Sequence, residues 1–150
     1  MCLTSIHYTP LYNTNDITVY KVLRLDNCAP YRTDYQYHEG FNYPANTSEK
    51  IRRTGRYEYS GDVKQYYEIF GGYLHAYSTK EKALALCKER NGHMKNLSYP
   101  FRYKVVKMVI PHDTEYWIGE EDDICATKLY WKKEISIVDT IREFFMKLFN

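Results

Sequence analysis

No apolar run in this chain approaches the ~20 residues that a membrane-spanning helix needs, so no transmembrane segment is expected. Charge of one sign is not in excess either. Among 150 residues, Lys plus Arg number 21 and Asp plus Glu 19, a formal net charge of +2. So close a balance gives no bulk argument for nucleic acid, a membrane surface or an acidic substrate. Cys2, Cys28, Cys87 and Cys125 stand far apart and form no C-x-x-C pair. The opening Met1-Cys2-Leu3-Thr4 has no basic segment leading into an apolar stretch, so reduced thiols and a cytoplasmic location are expected. The sequons at Asn46 and Asn96 then carry no meaning.

Catalytic signatures are missing too. His7, His38, His75, His93 and His112 fall in no zinc-ligand spacing, and neither H-E-x-x-H nor C-x-x-C occurs. There is no G-x-G-x-x-G, no Walker loop and no G-x-S-x-G elbow. The acidic run Glu120-Glu121-Asp122-Asp123 lacks the alternating ligands and turn glycine of a calcium loop, and reads as a solvated turn. No metal, no cofactor and no catalytic residue is assigned.

What is present is apolar content of 44%, charge of 27% and an unusual 17 tyrosines. That supports one globular domain over 1–150. Tyr suits strands, half-exposed faces and binding surfaces, because a large ring carries a hydrogen-bonding tip. Residues 1–16 are polar and read as an irregular N-terminal segment. Residues 17–24 (ITVYKVLR) are β-branched and aromatic, and predict a strand buried on much of both faces. Residues 26–56 read as loop with short strands. Tyr35, Tyr37, Phe41 and Tyr43 alternate as one strand face would, and the basic stretch 46–56 reads as a solvated loop. Residues 103–110, ended by Pro111, are the clearest strand. Further strands are expected at 114–119 and 128–133, with 124–131 short and mixed.

Two helices are predicted. The first, roughly 79–90, has a stripe of Ala83, Leu84, Leu86 and Cys87, a capping box from Ser78 to Glu81 and a stop at Gly92. Cys87 reads as a small core residue. The second, 136–149, has a weaker box at Ser136 and Asp139 and a strong apolar face. Its polar face is mixed in charge, which argues against a membrane surface, and core packing is favoured over a dimer interface. Strands, a central helix, more strands and an amphipathic C-terminal helix give an α+β fold with a small mixed or antiparallel sheet.

The corner where an aromatic strand enters the first helix gathers His75, Tyr77, Ser78 and Thr79. Unpaired helical N–H groups at such a corner favour an anion, although the same residues also begin an ordinary helix. With Tyr20 and Arg24 on a neighbouring strand, these six residues form the candidate ligand site. Arg24 would neutralise a phosphate or carboxylate and the tyrosines would stack on a base or pack on a partner.

Two resemblances follow from the motifs. Met-Cys-Leu at the start, Asp-Ile-x-x-Tyr-Lys-Val-Leu at 16–23, Gly-x-x-His-Ala-Tyr at 72–77 and Ile-Pro-x-x-Thr-x-Tyr at 110–116 resemble an uncharacterised group of short proteins from gut-type bacteria and their phages. This implies a phage or prophage accessory protein made in the host cytoplasm. More loosely, the order of elements is similar to ADP-ribosyltransferases, with Tyr20 and Arg24 and then Tyr77-Ser78-Thr79 in the first two places. The late segment 124–129 lacks the catalytic Glu, and Glu120 and Glu121 lie in a loop. The expected function is non-enzymatic binding of a host protein or a small anionic, nucleotide-like ligand, and neither a membrane nor nucleic acid is the expected partner. The alternatives are a divergent transferase and a structural or virion oligomer held by the C-terminal helix.

Overall fold

The computed structural model describes residues 3–5, 10–30, 35–44, 52–59, 62–69, 72–94, 102–133 and 137–149. Features expected at Cys2, His7, Asn46, Asn96 and Ser136 lie outside them. The strands are β1 (Leu3–Ser5), β2 (Leu11–Tyr12), β3 (Ile17–Arg24), β4 (Gly40–Asn42), β5 (Arg52–Tyr59), β6 (Asp62–Ile69), β7 (Leu74–Tyr77), β8 (Tyr103–Ile110), β9 (Glu115–Ile118), β10 (Asp123–Ala126) and β11 (Leu129–Trp131). The helices are α1 (Lys80–Met94) and α2 (Ile137–Phe149). The fold is α+β.

The two β-branched runs that stand out in the sequence pair with each other. β3 and β8 run antiparallel from Ile17 opposite Ile110 to Arg24 opposite Tyr103. They sit inside an eight-stranded sheet of order β2-β9-β10-β7-β3-β8-β11-β4, and β1-β6-β5 form a second, three-stranded sheet. Every recorded strand pair is antiparallel.

Alternation along β3 decides the two faces. Val19 and Leu23 enter one core with Leu74, Ala76, Met108, Ile110, Ile124 and Leu129, closed over by Tyr37 and by half-buried Tyr35 and Ala29. Val22 points the other way, into a second core where α1 contributes Ala83 and Cys87. Two-sided burial is why β3 reads as nearly continuous apolar sequence.

Several local expectations change. The N-terminal 16 residues are not uniformly irregular, since 3–5 and 11–12 are strands. Basic residues 52–56 belong to β5, which β6 pairs along its full length. Backbone pairing there overrides a polar composition. The start of the stretch 124–131, expected to be short and mixed, belongs to β10, with Ile124, Cys125 and Ala126 buried between β9 and β7. The four alternating aromatics do not share a strand face. Tyr37 is buried and Tyr35 meets it edge-on at 4.9 Å, whereas Phe41 and Tyr43 are exposed.

Helix α1 passes through Gly92 to Met94 rather than stopping at the glycine. Asn91 holds that end in place. It donates to the Tyr103 carbonyl at 3.2 Å and accepts from the Tyr103 N–H at 2.9 Å, so the C-terminal turns lie against the start of β8. Helix α2 has the expected amphipathic pattern but not the expected packing. Val138, Ile141, Phe144, Phe145, Leu148 and Phe149 are all exposed, Phe149 at 82%. The stripe therefore does not join the core. Among the described residues no helix is long and apolar enough to cross a membrane.

Candidate functional site

Tyr20 and Tyr77 are directly opposed across β3 and β7, so the sequence-predicted corner does assemble in part. Tyr77 is buried under α1, Tyr20 lies at its margin, and His75 is half-buried. The polar end of the corner is already occupied by the protein itself. The Ser78 N–H donates to the Asp122 carbonyl at 2.8 Å, and the Ser78 hydroxyl donates to the same oxygen at 3.1 Å. The expected Ser78–Glu81 box gives way to a cap one residue later. Thr79 Oγ1 accepts from the Lys82 N–H at 3.4 Å and faces Asp122 Oδ2 at 3.4 Å.

Lys82 Nζ in turn meets Glu121 Oε2 at 3.4 Å. Glu121 and Asp122 both adopt left-handed φ values, 53° and 64°, which turn the chain sharply before β10. The acidic run is thus more than a solvated turn. It supplies negative charge to the positive end of α1, where carboxylates are favoured. Burial beside the Glu121 and Asp122 carboxylates also pushes the Asp123 carboxyl above its ordinary range, although Lys82 pulls it down.

Arg24 does not reach this corner. Tyr20 is the β3 residue opposite Tyr77, and Arg24 lies four residues on, opposite Tyr103. Asn91 near the end of α1 is bonded to that same Tyr103. The guanidinium therefore stands beside the C-terminal half of α1, roughly 17 Å along the axis from the first helical amides. Its Nη2 is paired with Asp26 Oδ2 at 2.6 Å. Four of the six predicted residues cluster with Tyr20 at one end of the helix, and Arg24 sits at the other. Glu121 and Arg24 are likewise engaged at opposite ends of α1, so the transferase-like constellation does not converge. Among the described residues no group of three His, Cys, Asp or Glu side chains is arranged to hold a metal ion. Cys87 and Cys125 are buried free thiols.

The most unusual side chain is one that sequence reasoning passed over. Lys21 is only 7% exposed, in the middle of β3. Its Nζ donates to the His75 carbonyl and stands over the Tyr37 ring at 4.9 Å from the centroid. Burial pushes its pKa down to about 7, with the neighbouring Cys125 sulfur acting in the opposite sense. The signal was available: alternation places residue 21 on the same side as Val19 and Leu23, whose burial the strand pattern implied. No protein-family model, curated protein or solved structure matches the chain.

Proposed function

We propose that the protein acts by non-enzymatic binding of another protein, engaged through the apolar face of α2. The observation that carries this reading is the exposure of Ile141, Phe144, Phe145, Leu148 and Phe149 along one helix. At 100° per residue these side chains, with Val138, span an arc of roughly 140°. Leaving so much apolar area in water is costly, at about 25 cal/mol per Å².

A groove on a partner suits this arc better than a second copy of α2. Thirteen residues make a helix of only ~20 Å. Two such helices paired stripe to stripe would bury less than the ~1,000 Å² expected of a stable interface, whereas a groove wraps the whole arc through i, i+3, i+4 and i+7 anchors. If the resemblance to phage accessory proteins holds, the partner is a host protein.

The test uses the full chain carrying Ile141→Asp and Phe145→Asp. Because both side chains are exposed, stability in urea should stay within about 1 kcal/mol of the parent. Binding to a partner captured from the host and then purified should weaken about 100-fold or more, as expected for loss of central anchors. Equal binding by parent and variant would sink the reading. Sedimentation showing a parent dimer that the variant converts to monomer would replace it with the oligomer alternative.

A further inference from the structure

The balanced net charge hides a segregation that only the strand order reveals. Glu115, Glu121, Asp122 and Asp123 belong to the β9–β10 end of the large sheet, whereas Lys104, Lys107, Lys128 and Lys132 belong to the β8–β11 end. At that basic end the sheet face shared with α1 extends beyond the helix, with Thr18, Lys107 and Phe41 exposed and Val109 and Tyr130 half-buried. Registers show what it displays. Tyr20 lies opposite Lys107, and Thr18 opposite Val109. Val109 lies opposite Tyr130, and Tyr130 opposite Phe41.

Lys128 and Lys132 stand immediately before and after β11, two residues either side of Tyr130, and Tyr43 comes directly after β4 with its ring beside that of Phe41. Phe41 and Tyr43 are 47% and 52% exposed, with ring planes only 27° apart at 6.4 Å between centroids. Phe41 also meets the Tyr130 ring edge-on at 4.9 Å, which fixes its orientation. Lys107 and Lys132 are exposed, and Lys128 is half-buried. Among the described residues, the acidic groups nearest by register are Glu39, next to Gly40, and Asp16, which accepts from the His112 N–H at 2.9 Å. On this face lysines therefore outnumber unengaged carboxylates among the described residues.

We infer that this face of β3, β8, β11 and β4 binds single-stranded nucleic acid, stacking bases on Phe41, Tyr43 and Tyr130 and drawing the phosphates to Lys107, Lys128 and Lys132. Aromatic rings held in place on a sheet accept any base through its π-face, while interleaved cations follow the backbone. An apolar protein partner would find three ammonium groups among the rings and pay to desolvate them. A duplex has its bases stacked already and cannot use the rings. The patch spans four strands at ~4.8 Å spacing, enough for about two or three bases. This inference is independent of α2 and of the partner proposed for it.

The experiment is fluorescence anisotropy of the full chain with labelled oligothymidylate and oligouridylate over a salt series. Micromolar binding is expected at low salt, with a log–log salt slope of about −2 for three phosphate contacts to a single strand. Phe41→Ala with Tyr43→Ala should weaken binding about tenfold or more and leave the slope unchanged. Lys107→Gln should lower the slope by about 0.7. Circular dichroism of each variant shows that the sheet is intact, and Ile141→Asp with Phe145→Asp should bind the oligonucleotides as the parent does. No binding up to about 100 µM would overturn the proposal. So would equal affinity for a duplex, or an affinity that ignores the ring substitutions in folded variants.

Discussion

Between about pH 7 and pH 9 the free energy of unfolding is expected to rise with pH, and Lys21→Met is expected to remove that rise. In the folded chain the Lys21 ammonium is held out of water, with a pKa pushed down to about 7, against 10.5 in the unfolded chain. Between those values the unfolded state binds the extra proton, so stability increases with pH. The penalty for burying the charge is present in full below about pH 7 and fades above it. Its maximum slope is about 1.4 kcal/mol per pH unit, which gives roughly 2 kcal/mol over the window.

The rise should not continue indefinitely. Burial raises the Cys125 thiol well above its ordinary value of 9.0 and the Tyr73 hydroxyl above 10.0. Above those ordinary values the unfolded chain loses protons that the folded chain keeps, so these groups reduce stability as pH climbs. Methionine preserves most of the straight stem of lysine without the charge. The variant loses the hydrogen bond to the His75 carbonyl, worth about 1 kcal/mol. It should still be more stable than the parent at pH 6 by about 2 kcal/mol, because an uncompensated buried charge costs more than one hydrogen bond. Urea titrations at a series of pH values read both effects. A parent curve that is flat from pH 7 to pH 9 would mean that Nζ reaches water in solution.

The second large effect belongs to Asn13, a polar residue only 6% exposed. Its Nδ2 donates to the carbonyls of Asn15 at 2.8 Å, Ile110 at 3.2 Å and Pro111 at 2.8 Å. Its Oδ1 accepts from the Thr114 N–H at 2.9 Å, and its own carbonyl accepts from the Asp113 N–H at 2.7 Å. One side chain thus ties the approach to β3 to the turn between β8 and β9, where Pro111 cannot donate and Asp113 takes a left-handed φ of 58°. Asn13→Ala strands the buried Thr114 N–H and the Ile110 carbonyl. At about 1 kcal/mol per lost bond plus the cost of groups left unpaired, destabilisation should reach about 3–4 kcal/mol. In a chain of this size that lowers the melting midpoint by about 10 °C. The exposed neighbour Asn15→Ala should change stability by no more than about 0.5 kcal/mol. Similar losses at the two positions would show that the Asn13 network does not form.

Both residues mark a limit of local reading. Asn13 is a polar letter that neither pattern nor motif separates from surface residues, and for Lys21 alternation marks the buried side without saying what receives its ammonium group. Each is decided by partners far along the chain: the His75 carbonyl for Lys21, and Ile110 and Thr114 for Asn13. The same holds for the helix corner. Ser78 and Thr79 were legible as helix-start residues, because a hydroxyl that can bond a free N–H belongs there. That Asp122 would come to meet them, 44 residues later, depended on β10 pairing with β7. Nor could the sequence separate Tyr35 and Tyr37 from Phe41 and Tyr43. Whether the intervening residues continue a strand or turn beneath the sheet depends on what covers the core.

The amino-acid sequence determined the elements whose cause is short-range: the β-branched strands at 17–24 and 103–110, helix α1, the amphipathic helix α2 and hence the α+β class. Side-chain sterics and periodic burial act over a few residues, and the order of letters records them. Tertiary structure alone decided which ends of those elements meet. Antiparallel pairing of β3 with β8 carried Arg24 to the far end of α1, and the strand order set Glu115 and the acids at 121–123 toward one end of the sheet and Lys104, Lys107, Lys128 and Lys132 toward the other. Long-range register is fixed by burying both faces of the sheet at once, a condition on the folded whole that no local stretch of sequence expresses.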